Sequence, residues 1–273
     1  TASVSGQSSG HHSKSKPEAP ARAIKVFYAE TQARYNFSFW WKLLRDALGD
    51  LKLNCPAIRV KHCENAVQAN WPEDRSTPVA SIIDRLRPFY AWPDKLADRY
   101  ADGYRSAFVM AFLAAAFAVA MALGPLAMSL PEHSRGEIAF TIGELLAILF
   151  ILFLVFRGRL GRWHQRWLDY RLLAEIIRHQ RLIAHLGGER AAPLVPEHWS
   201  SYGDVGASWM AWYARALERS LGLPTAVVDQ AHLQASLHDL HEQLGGTYGQ
   251  IEFHQKTAAR CSRIEHRLHL LEV

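Results

Sequence analysis

One carboxylate stands where charge is expensive. In the 19 residues Ile138–Phe156 (IAFTIGELLAILFILFLVF) the only charged side chain is Glu144. A carboxylate in an apolar span must face a protein interior, an aqueous path or a partner, or be protonated. Two readings stand open: a pore-lining or proton-sensitive group, or an interfacial Glu, about two turns beyond Glu137, that reaches the outer headgroups. A second constellation follows the apolar run. Arg171, Glu175 and Arg178 are spaced four then three, so they neighbour one another on one helix face. That spacing fits a structural ion-pair network. Exposed, it would contribute about a few tenths of a kcal/mol per pair; buried, it would fix helix register while adding doubtful stability. Trp163 and Trp167, four apart and beside arginines, have the amphipathic chemistry of interfacial anchors.

Catalytic and metal chemistry find less support. Of the 14 histidines, His238–His241 and His266–His269 are spaced for bridging a metal, but no carboxylate or Cys completes either set and HExxH is absent. They read as surface histidines, and His11–His12 is too short for a metal tract. Cys55, Cys63 and Cys261 are odd in number and lack CxxC spacing, so they read as free thiols in a reducing compartment. No Gly-rich phosphate loop, nucleophile elbow or Ser/His/Asp order is present. The expectation is a protein with no catalytic residues, no metal and no cofactor. A net charge of +5 and a pI near 9.2 invite nucleic acid as a partner. Much of the excess lies just after the apolar run, where topology and anionic headgroups already account for it. No nucleic-acid partner is expected.

The elements that position these residues are two apolar runs. Ser106–Pro131 holds 26 residues without Asp, Glu, Lys or Arg, and a polar break (Glu132, His133, Arg135, Glu137) separates it from Ile138–Phe156. The first exceeds and the second approaches the roughly 20 residues a helix needs to cross a bilayer. The lipid core accepts only helices or closed barrels, since it offers the backbone no hydrogen bonds. The predicted fold is an all-α membrane protein with a transmembrane hairpin, spans about 106–128 and 138–156, and a cytosolic helical bundle. Arg157, Arg159, Arg162, Arg166 and Arg171 crowd one flank and Lys95, Arg99 and Arg105 the other. The positive-inside rule then puts both flanks in the cytoplasm. In the first span Ala107, Ala111 and Ala115, and Ala116, Ala120 and Gly124, recur every fourth residue, a spacing that allows close helix approach.

The rest divides by composition. Mean hydropathy is −0.11, so most of the chain is polar material attached to the hairpin. Residues 1–22, rich in Ser, Gly, Lys and Pro, read as a disordered linker. Residues 23–92 read as a small mixed or irregular region with short strands at Ile24–Tyr28 and Ala57–Val60, a helix over Phe37–Leu48 and another over Pro78–Leu86. Trp40 and Trp41 there either pack into that region or rest at headgroup level. Pro88 and Pro93 should bracket the FYAW segment, with one long helix entering the membrane from Asp94. Residues 93–156 form that helix and the hairpin, and 157–273 a cytosolic helical region with helices near 162–186, 207–220, 225–244 and 247–271. Expected buried stripes are Leu168, Leu172, Ile176 and Ile183; Trp209, Trp212, Tyr213 and Leu217; and Ala258, Cys261, Ile264, Leu268 and Leu271. With no initiator Met at Thr1 and an amphipathic run up to Val273, the chain reads as a segment of a longer protein.

The segment WLDYRLLAEIIRHQR (Trp167–Arg181), directly after a two-span hairpin, resembles the SLATT-like two-transmembrane families. Their Tyr-Arg, Ala-Glu and Arg pattern falls here on Tyr170, Arg171, Ala174, Glu175 and Arg178. The lead-in DKLADRYADGYRSAFVMAF looks like membrane regions that follow SLOG-type nucleotide-sensing domains in bacteria. The likeness covers roughly Trp92 to Leu186. It implies a membrane effector of a defence system, pore-forming and homo-oligomeric, in the bacterial inner membrane, with a sensor domain upstream of Thr1. The alternative is a passive membrane anchor or scaffold for cytosolic signalling domains.

Overall fold

The computed structural model describes residues 20–30, 39–50, 80–131, 133–184, 208–222, 229–246 and 249–272. Of these, 92% are helical and none lies in a strand. Helix α1 is Pro20–Tyr28, α2 is Phe39–Arg45 with a π turn at Asp46–Asp50, and α3 is Ala80–Ala127. Then come α4 (Arg135–Gly161), α5 (Trp163–Ala184), α6 (Trp209–Leu221), α7 (Gln230–Gly245) and α8 (Gln250–Glu272).

Helix α3 is the spine. At about 1.5 Å per residue its 48 residues extend about 72 Å. It runs through Pro88 and Pro93, where the sequence predicted breaks, so the expected boundary at residues 92–93 falls inside a continuous helix. Each proline forfeits one backbone bond, at a cost of about 3 kcal/mol. Packing offsets that loss: Ile83, Leu86, Tyr90, Ala91, Leu96, Ala97 and Tyr100 are all buried, and Pro93 itself is among the fully buried side chains.

That stripe packs on Tyr170, Leu173, Ala174, Ile176 and Ile177 of α5 to form the core. Of the expected α5 stripe, Ile176 is in this core and Leu172 packs against it, whereas Leu168 is 50% exposed. Helix α1 adds Phe27, whose ring sits 5.5 Å from Tyr170, 5.3 Å from Trp209 and 5.5 Å from Tyr213. Ile24–Tyr28, expected as a strand, is therefore helical because one apolar face meets this aromatic cluster. Residues Pro20–Arg22, assigned to the linker, begin the same helix. The remaining linker residues, 1–19, lie outside the described residues, as do Ala57–Val60, Cys55 and Cys63.

The outer half of α3 pairs with α4. Gly124 lies against the Phe140 ring and Gly143 against Met121 Sδ, which fixes an antiparallel register. Ala107, Ala111, Ala114, Ala118, Met121 and Gly124 are half-buried on the facing seam. Ala115, Ala116 and Ala120 point away and are exposed, so the small-residue pattern serves two directions. Both helices are long and apolar enough to cross a membrane. Of their most apolar 18-residue stretches, none of the first and 11% of the second is buried. Ser134 caps α4 by accepting the Glu137 N–H at 3.2 Å, and Glu137 returns a carboxylate to the His133 N–H. At the other end Arg162 takes a left-handed backbone (φ 50°) and separates α4 from α5.

Candidate functional site

Four side chains from three helical segments meet just below the paired apolar helices. Glu30, two residues past the end of α1, turns a carboxylate that is 8% exposed toward α3 and α5. Its Oε1 accepts hydrogen bonds from the Tyr100 hydroxyl (2.7 Å), the Tyr170 hydroxyl (3.0 Å) and Arg166 Nη1 (2.8 Å). Arg166 Nη1 also donates to the Tyr100 oxygen at 2.8 Å. Burial first, and then Glu30 (through its hydrogen bond to Tyr100 and its charge beside Tyr170), push both tyrosines above their ordinary range, so both remain donors at any physiological pH. Charge-assisted bonds of this kind are stronger than neutral ones, and sharing one acceptor locks three segments together.

A second network lies further along α5. Arg171 contacts Glu175 Oε1 at 2.7 Å, and Arg178 contacts the other Glu175 oxygen, so Arg171, Glu175 and Arg178 do meet on one face. The structure adds a partner the sequence did not supply. Asp94 of α3, 7% exposed, receives Arg171 at 2.9 Å and Lys95 at 3.4 Å. Burial and the neighbouring Asp98 nonetheless raise the Asp94 pKa, outweighing both cations. Acidification from neutrality toward the ordinary carboxylate range should therefore relieve its cost to the folded state. Asp94→Asn should remove that part of the pH dependence in a series of thermal melts. In double-mutant cycles, Arg171 with Glu175 should couple by about 0.3–0.5 kcal/mol. Arg171 with the less exposed Asp94 should couple by about 1 kcal/mol. Values below about 0.3 kcal/mol for both would reduce the network to solvated decoration.

Between these networks and the apolar helices lies an aromatic–cationic collar. Arg105 stacks 5.3 Å from the Trp41 ring and 5.0 Å from the Trp167 ring. Tyr104 and His164 close the collar, 5.0 Å apart. The fully buried Ser106 accepts the Trp41 N–H at 3.1 Å, satisfying an orphan donor in the first turn of α2. Trp163 and Trp167, predicted as anchors, are both half-buried here against protein.

Glu144 is half-buried on the flank of the α3–α4 seam, beside Gly143, and no hydrogen bond or ion pair reaches it among the described residues. His238, His241, His266 and His269 are exposed. Among the described residues no three His, Cys, Asp or Glu side chains converge as a metal site would require. Helix α8 also departs from expectation: Ala258, Cys261 and Leu268 are exposed. Of that stripe Ile264 is half-buried beside Gly49, and arginines complete the docking, Arg263 Nε donating to Gly49 O at 3.1 Å and Arg267 to Leu48 O. Those carbonyls end a helical segment, where cations are favoured. Trp212, expected in the core, is 51% exposed.

Sequence reasoning missed Glu30, Asp94 and Arg166 as members of these networks. For Asp94 and Arg171 a signal existed, opposite charges each flanking an apolar stripe. Glu30 had none, because its partners lie 70, 136 and 140 residues away.

Among the described residues, fold and site together define an all-helical arrangement in which two paired helices, apolar enough to cross a membrane, continue from a core tied by buried polar networks. Comparison with protein-family models, with curated proteins and with solved structures finds no match to this chain.

Proposed function

We propose that this chain is a non-enzymatic membrane effector or channel-like subunit. Its α3–α4 hairpin crosses the bacterial inner membrane with both polar flanks in the cytoplasm, where the remaining helices form a bundle. One observation carries the reading: the most apolar stretches of two antiparallel helices are almost wholly exposed, whereas the core of a water-soluble protein would bury them. The resemblance of Trp92–Leu186 to SLATT-like families supports an effector role. The Glu30 junction supports coupling, since it joins the N-terminal helix to α3 and α5, which are both continuous or nearly continuous with the spans. A sensor domain upstream would act through that junction on a homo-oligomer of hairpins, and exposed Ala116 and Ala120 offer a close-approach surface for a second copy.

Topology and flux test this together. Reporter fusions at Val273 should stay cytoplasmic and fusions in the 132–137 turn should be exported; an exported Val273 fusion overturns the orientation. In an oligomer each subunit brings one Glu144 to the same depth, and a ring of carboxylates selects cations. Glu144→Gln keeps the shape and removes the charge. Expression and oligomer size should hold while cation selectivity in liposomes changes. Equal flux and selectivity for the two proteins across pH returns Glu144 to the interfacial reading. No flux from either, with the sensor restored and activated, favours the anchor or scaffold alternative.

A further inference from the structure

A groove of about 480 Å³ opens where the α3–α4 pair meets the collar, and its wall changes character along its length. The side within the apolar helices is formed by Ala107, Phe108, Ala111, Leu154 and Val155. The other end carries Arg159 and Arg162, with Gln165 and His164 beside them. No Asp or Glu lines any part of it. Gln165 Oε1 accepts from Arg162 Nε at 3.0 Å, which holds that guanidinium at the rim. Arg162 owes its position to the left-handed turn between α4 and α5, so the rim is set by backbone geometry.

We infer that this groove holds an anionic phospholipid of the cytoplasmic leaflet, its phosphate on Arg159 and Arg162 and an acyl chain along Ala111, Leu154 and Val155. The inference rests on the membrane reading above, because it needs the apolar wall to stand at acyl depth. Cationic pockets between membrane helices on the cytoplasmic side suit anionic headgroups. The volume falls within the ordinary range for a bound small molecule. A water-soluble phosphate would match the arginines but leave the apolar wall wet, so charge and apolarity together point to a lipid. Occupancy would join the α3–α4 pair to the start of α5.

The test uses the full chain reconstituted into vesicles of phosphatidylcholine alone or mixed with phosphatidylglycerol, then extracted for native mass spectrometry of retained lipid. Phosphatidylglycerol should be retained in preference to phosphatidylcholine. Arg159→Gln and Arg162→Gln should each weaken that preference about fivefold. Arg157→Gln, next to the groove but outside its lining, should leave it unchanged; an equal loss there would mean general surface attraction and overturn the site. Val155→Trp fills the apolar wall from an exposed position and should abolish retention with both arginines intact. Competition by glycerol phosphate in solution would reassign the groove to a soluble anion and overturn the lipid. Chain that floats with both vesicle types but retains no phosphatidylglycerol overturns this inference and leaves the membrane reading standing. Chain that floats with neither overturns both.

Discussion

Glu30→Ala is expected to lower the stability of the folded chain by about 3 kcal/mol. Three donors lose their acceptor at once. The Tyr100 and Tyr170 side chains are 8% and 2% exposed, so water cannot easily replace the carboxylate. A buried donor left unsatisfied costs about 1–3 kcal/mol. Arg166 is 30% exposed and can turn toward solvent, which holds the total to the lower part of the range for broken buried ion pairs. Glu30→Gln keeps an acceptor oxygen and should cost about half as much, while Tyr100→Phe or Tyr170→Phe should each cost about 1 kcal/mol. Denaturant titration of the full chain in detergent gives these values, and a double-mutant cycle of Glu30 with Arg166 isolates the charged pair. A Glu30→Ala loss within about 0.5 kcal/mol, the usual range for a surface change, would remove the junction from the coupling proposal.

The hairpin was legible because its signal is local and large. Long runs without charge and a short polar break leave few alternatives, and the structure delivers two apolar helices joined at residues 128–134. What was illegible depended on partners distant in the chain. Pro93 reads as a stop by every local rule, and only its full burial explains its place inside α3. Ile24–Tyr28 carries β-branched and aromatic residues, yet Phe27 finds its partners in Tyr170, Trp209 and Tyr213. The apolar spacing in α8 suggested burial, whereas arginines complete its docking, because helix-end carbonyls offer them a partner. At the candidate site the same division holds. Arg171, Glu175 and Arg178 are helix neighbours and could be read directly, while Asp94 joins them, and Glu30 joins Tyr100, Arg166 and Tyr170, only through tertiary contact.

The register of the hairpin yields the other large effect. At Gly124 an added Cβ would stand 2.6 Å from Phe140 Cδ1, well inside contact distance, so the ring packs where only glycine leaves room. At Gly143 the nearest atom is Met121 Sδ at 3.0 Å, the flexible part of a side chain that can swing aside. Two glycines on one seam should therefore respond differently. Gly124→Leu should force the helices apart near the turn at a cost of about 2–3 kcal/mol, typical of overpacking, while Gly143→Ala should cost under about 1 kcal/mol. With Cys55, Cys63 and Cys261 replaced by serine, new cysteines at Ala118 and Ala147 report on the seam below the turn through cross-linking in membranes. Gly124→Leu should reduce their cross-linking about tenfold, the change that about 1.4 kcal/mol produces. Phe140→Ala removes the ring that the leucine meets, so the double variant should recover most of the lost yield. If Gly124→Leu and Gly143→Ala lower the yield equally, or if Phe140→Ala restores nothing, the Gly124–Phe140 contact does not set the register of this hairpin.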